Sequence, residues 1–236
     1  DPAIEHVVVL FHEGPYSSKP ERDGSAHFTV PADTPVYFQL LDENHMELRR
    51  MRAFISFQPG EVRACHGCHE SREEAPRNRR APFPLALARD PSIPVPPAWG
   101  DKPISFLRDV QPVLNDRCAS CHTHDRQGCG VILTDDLTGR FTAGYEELLP
   151  YLSLANANRW DQPDDVYPRP PYTYGSKVSP LAELLAAGHH DVKLTDEERE
   201  RLFTWIDTNG AYYDRYETTV WGPKREIFGG PLRKTL

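Results

Sequence analysis

The chain has 236 residues, of which 27 are lysine or arginine and 35 aspartate or glutamate, so its formal net charge is −8. This acidic balance disfavours a nucleic-acid partner, because the phosphate backbone binds basic surfaces. The longest apolar runs, such as Val7–Phe11, have strand length, whereas a membrane span needs roughly twenty apolar residues. The sequence therefore predicts a water-soluble protein with no membrane span and no nucleic-acid partner.

Residues 1–74 are predicted to form a small N-terminal β-sandwich. Short runs rich in β-branched and aromatic residues alternate there with clusters of Gly, Pro, Asp and Asn, a pattern typical of strands and turns. The cluster around Asn44 predicts a hairpin between two of these runs. The predicted strands cover residues 4–11, 26–30, 36–41 and 51–57.

Residues 75–103 are predicted to be a proline-rich connector. Eight of the chain's 23 prolines lie in this segment, and few apolar residues recur there with a regular period. Proline-rich segments favour extended polyproline geometry and act as stiff spacers. Such a connector either lies along the surface of one domain or separates two domains.

Residues 104–236 are predicted to form an α-helical domain. Pro112 is compatible with the first turn of a helix, where a missing N–H does no harm. Ser179 and Pro180 have the residue types of an N-cap and a first helical position, and Thr195 with Glu198 predicts a capping box. The predicted helices run from Asp109 to residue 118, over 144–154, over 181–187 and from 195 to a stop at Gly210.

The pattern Cys-x-x-Cys-His occurs twice, at residues 65–69 and 118–122. Two thiols at this spacing add across the two vinyl groups of one porphyrin, and the adjacent imidazole then binds the iron. The sequence therefore predicts an α+β protein with two covalently attached haem c groups, in which residues 104–236 form a cytochrome c-like domain. The predicted thioether residues are Cys65, Cys68, Cys118 and Cys121, and the predicted proximal ligands are His69 and His122.

Other uses of these cysteines explain the pattern less well. A four-thiolate zinc site gives no reason for a histidine directly after each pair, and the gap between the pairs is long for such a site. A redox-active dithiol is expected within alternating strands and helices, which the sequence does not predict. Structural disulfides would explain neither histidine. Cys129 is left over, either as a buried thiol or as a partner of another chain.

The distal ligand of the second haem is predicted to be a histidine near the end of the 181–187 helix. Both methionines precede the second motif, so they are poorly placed to close over its iron. His189 and His190 are far enough along the chain to reach the opposite face of the porphyrin, and His189 is preferred. The alternative is that both are surface histidines that follow the helix stop.

The distal ligand of the first haem stays open. His45 is favoured because a hairpin tip can project its side chain, although a histidine on a β-surface is usually only polar surface. A ligand from a neighbouring molecule, or no ligand at all, is equally admissible. The other candidates are His6, His12, His27, Met46 and Met51.

Several segments resemble the hydrazine synthase α-subunit-related proteins. The resemblance implies that the chain corresponds to the C-terminal half of that larger subunit, without its propeller-like N-terminal region. It also implies a catalytic first haem and a second, bis-histidine haem that relays electrons, with His189 or His190 as the distal ligand. The family pattern includes a tyrosine shortly after the first motif, and residues 70–76 contain none. The similar segments are Asp23–Gln39, Met51–Phe54, Gln58–Arg72, Asp109–Leu114, Gly188–His190 and Thr204–Asp207.

Three functions are compatible with these motifs, and electron transfer is favoured over catalysis. The first is an electron carrier, the second an oxidoreductase of small nitrogen compounds or peroxide at an open first haem, and the third a haem-chain polymer or filament. The expected partners are other redox proteins or copies of this chain. Attachment of c-type haem predicts a periplasmic or extracellular location, with Asp1 as an end left by signal cleavage or as a chain boundary.

Overall fold

The structure, a computed structural model, describes residues 6–11, 14–51, 53–65, 83–125, 130–155, 170–214, 226–227 and 230–231. The chain divides into two compact units. Unit 1 comprises Asp1–Asp101 and Ala155–Thr173, and unit 2 comprises Lys102–Leu154 and Tyr174–Leu236. The described part of the predicted connector, up to residue 101, therefore belongs to unit 1.

Unit 1 contains a four-stranded antiparallel sheet. Its strand order is β2-β1-β3-β4, with β1 and β3 in the middle. Val8 of β1 lies opposite Ser17 on one side and Gln39 on the other, and the register of β3 against β4 shifts at residues 40 and 41. The described residues of unit 1 show this one sheet, so a sandwich stays a prediction. The strands are β1 His6–Phe11, β2 Gly14–Ser18, β3 Tyr37–Leu41 and β4 Glu47–Arg50.

Two of the predicted strands are reduced to single bridges. Phe28 pairs with Ser92 alone, and Ile55 pairs with Val36 alone. Ser92 lies between prolines 91 and 94, which lack the N–H that a longer ladder requires. The edge strands β2 and β4 are not predicted from sequence, because the glycine and proline of β2 and the glutamate of β4 have low strand propensity.

The described connector residues lie along unit 1. Ser17 and Val95 exchange two backbone hydrogen bonds of 2.8 Å, so the connector pairs with the outer edge of β2. A short 3-10 helix, Leu85–Ala88, is held at its start by the carboxylate of Asp23, which accepts from Leu85 N at 2.9 Å. This pairing covers part of a sheet edge that would otherwise expose unpaired backbone groups.

Unit 2 is helical in its described part. A single π-helical turn, Phe106–Val110, leads into the first α-helix, so that helix begins two residues later than predicted from Asp109. The helix predicted over 144–154 ends at Leu148 and continues as the 3-10 turn Leu149–Tyr151, where Pro150 cannot extend the α-helical bonding. The helices are α1 Gln111–Arg117, α2 Ala143–Leu148, α3 Pro180–Ala187 and α4 Asp196–Asp207, with the two-residue strands β5 Glu226–Ile227 and β6 Gly230–Pro231 beyond them.

The caps of α3 and α4 differ in how well the sequence predicts them. The capping box of α4 is confirmed, because Thr195 Oγ1 accepts from Glu198 N at 3.2 Å and the Glu198 carboxylate accepts from Thr195 N at 2.8 Å. Ser179 occupies the N-cap of α3, but its hydroxyl does not cap the helix. It donates to Gly175 O at 2.8 Å and accepts from Ser153 N at 2.9 Å instead.

An aromatic core stabilises unit 2. Phe106 and Trp205 are fully buried, with ring centroids 5.0 Å apart, and Tyr145 lies 5.0 Å from Phe106. The predicted apolar stripe of α4 is confirmed, since Leu202, Phe203 and Ile206 are all buried. Burial of large rings and branched side chains supplies most of the stability of a helical unit of this size. None of the helices in the described part of the chain is long and apolar enough to cross a bilayer.

Candidate functional site

The second Cys-x-x-Cys-His motif forms a turn directly after α1. Cys118 caps the helix, and its N–H donates to Leu114 O at 2.8 Å. The N–H groups of Cys121 and His122 both donate to Cys118 O at 3.0 Å, which folds the motif back on itself. Cys118 and Cys121 are not joined in a disulfide; Cys121 is exposed and Cys118 is half-buried. The local backbone therefore presents two thiols and an imidazole within one turn.

The environment of Cys118 keeps its thiol protonated. Burial, together with the neighbouring Cys121 and Glu198, raises the pKa of Cys118 to about 11. A thiol with a raised pKa is a poor nucleophile towards disulfides and a poor ligand for metals, because the thiolate is the reactive form. This disfavours a redox-active dithiol at Cys118, which requires an accessible thiolate.

The ring of His122 is oriented by a backbone carbonyl. Its Nδ1 lies 3.0 Å from Val131 O, and the carbonyl can only accept, so Nδ1 carries the proton and donates. In a neutral imidazole this leaves the Nε2 lone pair free for a metal. A second bond, from Leu133 N to His122 O at 3.0 Å, holds the same loop against the motif.

His189 lies opposite His122. The two ring centroids are 6.0 Å apart, with an angle of 31° between the ring planes. Two imidazoles that bind one metal from opposite sides, at about 2.0 Å each, have ring centres about 6 Å apart. The pair therefore has the separation that a shared iron requires.

The chain after α3 makes His189 and His190 unequal. Gly188 has φ +89° and His190 φ +49°, so the backbone reverses on both sides of His189. His189 is half-buried, whereas His190 is exposed and its ring centroid lies 4.5 Å from that of His189. Burial is the main cause that lowers the pKa of His189, and the charges of His190 and His122 lower it further. A lowered pKa favours the neutral imidazole, which is the form that binds metals.

The structure therefore brings four of the predicted site residues together in unit 2: Cys118, Cys121, His122 and His189. Within the described residues, no group of three or more His, Cys, Asp or Glu side chains is arranged to hold a metal ion without a prosthetic group. The assignment of these residues to a haem stays a prediction, and the Cys118–Cys121 turn and the facing His122 and His189 rings fit that group.

The first motif is only partly described. Cys65 is an exposed free thiol, while Cys68 and His69 lie outside the described residues, as do His12 and Cys129. His45 occupies the turn between β3 and β4, with φ +60°, and its N–H donates to Asp42 O at 3.0 Å. The predicted turn is thus confirmed, but the second strand of the hairpin is Glu47–Arg50 instead of the predicted 51–57. The ligation of the first haem by His45 stays a prediction.

Other predicted candidates for the first haem have no clearer role. His27 is half-buried, and its Nδ1 has no hydrogen-bond partner among the described residues. Met46 is buried beneath the same hairpin, and its N–H donates to the carboxylate of Asp42 at 3.0 Å. A buried methionine of this kind is most simply a core residue.

Sequence reasoning missed two residues that shape the second site. Val131 acts through its carbonyl oxygen, which every residue possesses, so no side-chain signal marks it. Gln111 is buried at the start of α1 and its amide contacts the loop that follows the motif. A buried glutamine in an otherwise apolar helix face is the kind of signal that could have identified it.

Part of the chain matches a known family model. Residues 17–70 match the model of the hydrazine synthase alpha subunit middle domain. Hydrazine synthase subunit alpha from Kuenenia stuttgartiensis is 23% identical over 268 aligned positions, which cover 82% of this chain and 32% of that protein. The chain is similar to the α subunit of hydrazine synthase. It spans about a third of the length of this curated relative.

The fold is similar as well. The solved Kuenenia stuttgartiensis hydrazine synthase matches with a TM-score of 0.62 and 18% identity, over 89% of this chain and 39% of that chain. At this identity the likeness shows the fold, which is a mixed α and β fold with a small antiparallel sheet and a few helices. The resemblance to hydrazine synthase predicted from sequence is supported, whereas the correspondence to the C-terminal half of the α subunit stays a prediction.

Proposed function

We propose that the chain is a dihaem c-type cytochrome whose function is electron transfer. The observation that carries the proposal is the pair of imidazoles of His122 and His189, whose ring centroids lie 6.0 Å apart beside the turn that carries the Cys118 and Cys121 thiols. Two imidazoles and two thiols of this kind would hold one porphyrin and its iron.

Each residue of the second site has a distinct proposed role. Cys118 and Cys121 would hold the porphyrin, and His122 and His189 would bind its iron. The Val131 carbonyl fixes the His122 ring through Nδ1. A c-type haem with two histidine ligands supplies a one-electron couple and leaves no position for a substrate. The second site is therefore an electron-transfer centre.

The first haem is proposed at Cys65, Cys68 and His69, with His45 as its distal ligand. Two structural observations support this proposal: the thiol of Cys65 is exposed, and His45 lies in the hairpin turn. We further propose that the protein acts in the periplasm or outside the cell. Its partners are other redox proteins or copies of itself, in the latter case as a homo-oligomer or haem-chain filament.

A second candidate is an oxidoreductase of small nitrogen compounds or peroxide at an open first haem. The similarity to a hydrazine synthase subunit favours it, because that protein is named for a reaction of nitrogen compounds. This chain spans only about a third of that subunit, and residues 70–76 contain no tyrosine. Whether the first iron has a protein ligand on its distal side decides between the two functions.

Carbon monoxide binding to the reduced protein tests both. The full chain is produced with a haem-attachment system, its haems are counted, and the ferrous protein is exposed to carbon monoxide. The electron carrier predicts two haems for each chain and no rapid binding. Rapid binding at one haem, with the second retained as a two-histidine centre, supports the oxidoreductase instead.

The variant His189→Ala serves as the positive control, because it opens a position at the second haem. Carbon monoxide must then bind at that haem if the assay detects an open site. A chain that acquires no covalent haem would contradict both candidates. Light scattering and electron microscopy over a wide concentration range test the filament, which monomers throughout would exclude.

A further inference from the structure

We propose that Gln111 is a positioning residue that sets the reduction potential of the second haem through the loop 131–136. The inference rests on the proposed function, since it requires a haem at Cys118 and Cys121. Gln111 is the first residue of α1 and lies seven positions before Cys118. It contacts neither thiol nor either imidazole in the described structure and acts through the carbonyl that orients His122.

Gln111 is buried, with 3% of its surface exposed, and all of its amide is engaged. Its Nε2 donates to Leu133 O at 3.1 Å and to Asn115 Oδ1 at 3.0 Å. Its Oε1 accepts from Thr142 Oγ1 at 2.9 Å. One side chain thus joins α1, the loop after the haem motif and the start of α2. A buried amide with complete hydrogen bonding is costly to disturb, because any partner left alone stays buried.

The loop itself is short and is held at several points. Leu133 N donates to His122 O at 3.0 Å, and Gly144 N donates to Thr134 O at 2.9 Å. Gly144 leaves room for this contact, because a Cβ there would lie 3.1 Å from both Leu133 O and Gln111 Oε1. The Gln111 amide and the loop backbone are therefore in close contact beside Gly144.

Two nearby carbonyl groups of the loop, those of Leu133 and Val131, link Gln111 to His122. Leu133 O accepts a hydrogen bond from the Gln111 amide, and Val131 O accepts one from His122 Nδ1 at 3.0 Å. Loss of the first bond leaves a buried carbonyl without its donor, and the loop shifts to find another partner. Because Val131 and Leu133 are separated by one residue, such a shift changes the distance and angle of the bond to Nδ1.

The bond to Nδ1 has a defined electronic effect. A carbonyl that accepts from Nδ1–H raises the basicity of Nε2, and a more basic ligand favours the oxidised iron. A weaker bond therefore raises the reduction potential of the second haem. This reasoning fixes the direction of the shift: a rise in the potential of the second haem supports the inference, and a fall contradicts it.

Three variants test the inference in the full-length dihaem protein. Gln111→Leu removes the amide at similar volume, and Thr142→Val removes one partner of that amide while Gln111 stays in place. Tyr145→Phe is the matched control, because it deletes the hydrogen bond from Tyr145 Oη to Gly210 O, at 2.9 Å in the same unit, and leaves the loop bonds intact. Stability to urea is measured for all three.

The readout is the potential of the second haem relative to the first in the same molecule. We expect Gln111→Leu to shift the equilibrium of electron exchange towards the reduced second haem by about three- to tenfold, where tenfold corresponds to about 59 mV. Thr142→Val shifts it less in the same direction, and Tyr145→Phe leaves it unchanged. The electron paramagnetic resonance g values of the second haem change in the same order, since they report the orientation of its ligands.

The outcomes separate the inference from the proposed function. A wild-type chain without a two-histidine second haem contradicts the proposed function, and the inference falls with it. If that haem is present but Gln111→Leu and Thr142→Val shift its potential no more than Tyr145→Phe at equal loss of stability, the role of Gln111 is purely structural and the inference is wrong. If Gln111→Leu does not fold, Thr142→Val alone decides.

Discussion

The imidazoles of His189 and His190 show how far two neighbouring residues can differ at one site. Gly188 and His190 both have positive φ, which turns the backbone sharply around His189. Only Gly adopts such a conformation without steric cost, so His190 pays a small strain energy that the surrounding structure must offset. The turn brings the His189 ring towards His122 and leaves His190 exposed, so the two histidines have distinct expected roles.

The first prediction distinguishes these two histidines. His189→Ala is expected to open the second haem, so that the ferrous protein binds about one equivalent of carbon monoxide and the oxidised haem becomes high-spin, because only a filled sixth position keeps it low-spin. The matched variant His190→Ala leaves the low-spin spectrum unchanged. The reverse pattern in absorption and paramagnetic resonance spectra would assign the distal ligand to His190.

The second prediction concerns Cys118 before haem attachment. Its pKa of about 11 means that the thiolate is scarce at pH 8.5. Because thiolate is the reactive form, alkylation of Cys118 is expected to be about a hundredfold slower in the folded chain than in urea, with exposed Cys121 as the internal reference for access. Mass spectrometry of iodoacetamide-treated chain measures both rates.

The same shift predicts how stability depends on pH. The folded-state pKa of Cys118 is raised, so its stabilising contribution is complete below the ordinary thiol value, and it declines as the pH rises towards about 11. The haem-free chain should therefore unfold at lower urea concentration above about pH 9, and Cys118→Ser should remove most of that dependence. Equal rates of alkylation in the folded and unfolded chain would contradict the prediction.

At the scale of elements, α1 and α4 are joined beside the second motif. Arg117 at the end of α1 forms an ion pair of 2.9 Å with Glu198, and the same carboxylate closes the capping box of α4. Burial alone would raise the pKa of Glu198, but hydrogen bonds from Thr195 N–H and Arg117 outweigh it and hold that pKa below its ordinary value. The Glu198 carboxylate thus caps the start of α4 and forms an ion pair with the end of α1.

The third prediction tests the cap of α4. Thr195→Ala is expected to lower the free energy of unfolding by about 1 kcal/mol, because Glu198 N loses its acceptor, whereas Thr195→Ser keeps the hydroxyl and most of the stability. Urea unfolding measures both, and the slope with urea should not change. Equal losses for the two variants would show that the methyl group rather than the cap matters.

Acid unfolding provides a check on the same element. Because the folded-state pKa of Glu198 is lowered, its contribution is complete above about pH 5 and is lost as the pH falls through the folded-state value. Glu198→Gln is therefore expected to be less stable than the wild type at pH 7. The difference between the two proteins should shrink as the medium is acidified. A constant difference at every pH would contradict the linkage.

At the scale of the whole molecule, the chain passes between its two units more than once. Ala155–Thr173 belongs to unit 1, although the residues on both sides of it belong to unit 2. Within unit 1, this segment is bonded to β4, because Tyr172 N donates to Leu48 O at 3.1 Å. Unit 2 is therefore discontinuous in sequence, and a fragment that simply starts at Lys102 would carry a segment separated from its own unit.

The fourth prediction follows from the separate placement of the two motifs. The double variant Cys65→Ser, Cys68→Ser is expected to contain one haem for each chain instead of two, because Cys65 lies in unit 1 and the second motif in unit 2. The remaining haem keeps its two-histidine spectrum. Pyridine haemochrome absorbance and intact mass measure the ratio. Loss of both haems in this variant would mean that the second site depends on the first.

Much of the local architecture is predictable from sequence. The α4 capping box, its apolar stripe and the hairpin at His45 depend on residues at most a few positions apart, whose contacts helix and turn geometry fixes. The edge strands β2 and β4 were missed, since they exist only because β1 and β3 lie beside them. Residues dispersed along the sequence predict the similarity to hydrazine synthase. Comparison with known proteins shows that this similarity covers 82% of the chain.

The sequence by itself determined the Cys-x-x-Cys-His spacing, the chemistry that this spacing favours and the short choice between His189 and His190. Only the tertiary structure decided that the ring centroids of His189 and His122 lie 6.0 Å apart, that the Val131 carbonyl fixes the proton on Nδ1, and that Gln111 contacts this loop. The physical reason is range. Bonds within one helical turn are encoded by spacing, whereas these contacts join segments 9 to 67 positions apart, whose meeting depends on how the intervening chain packs.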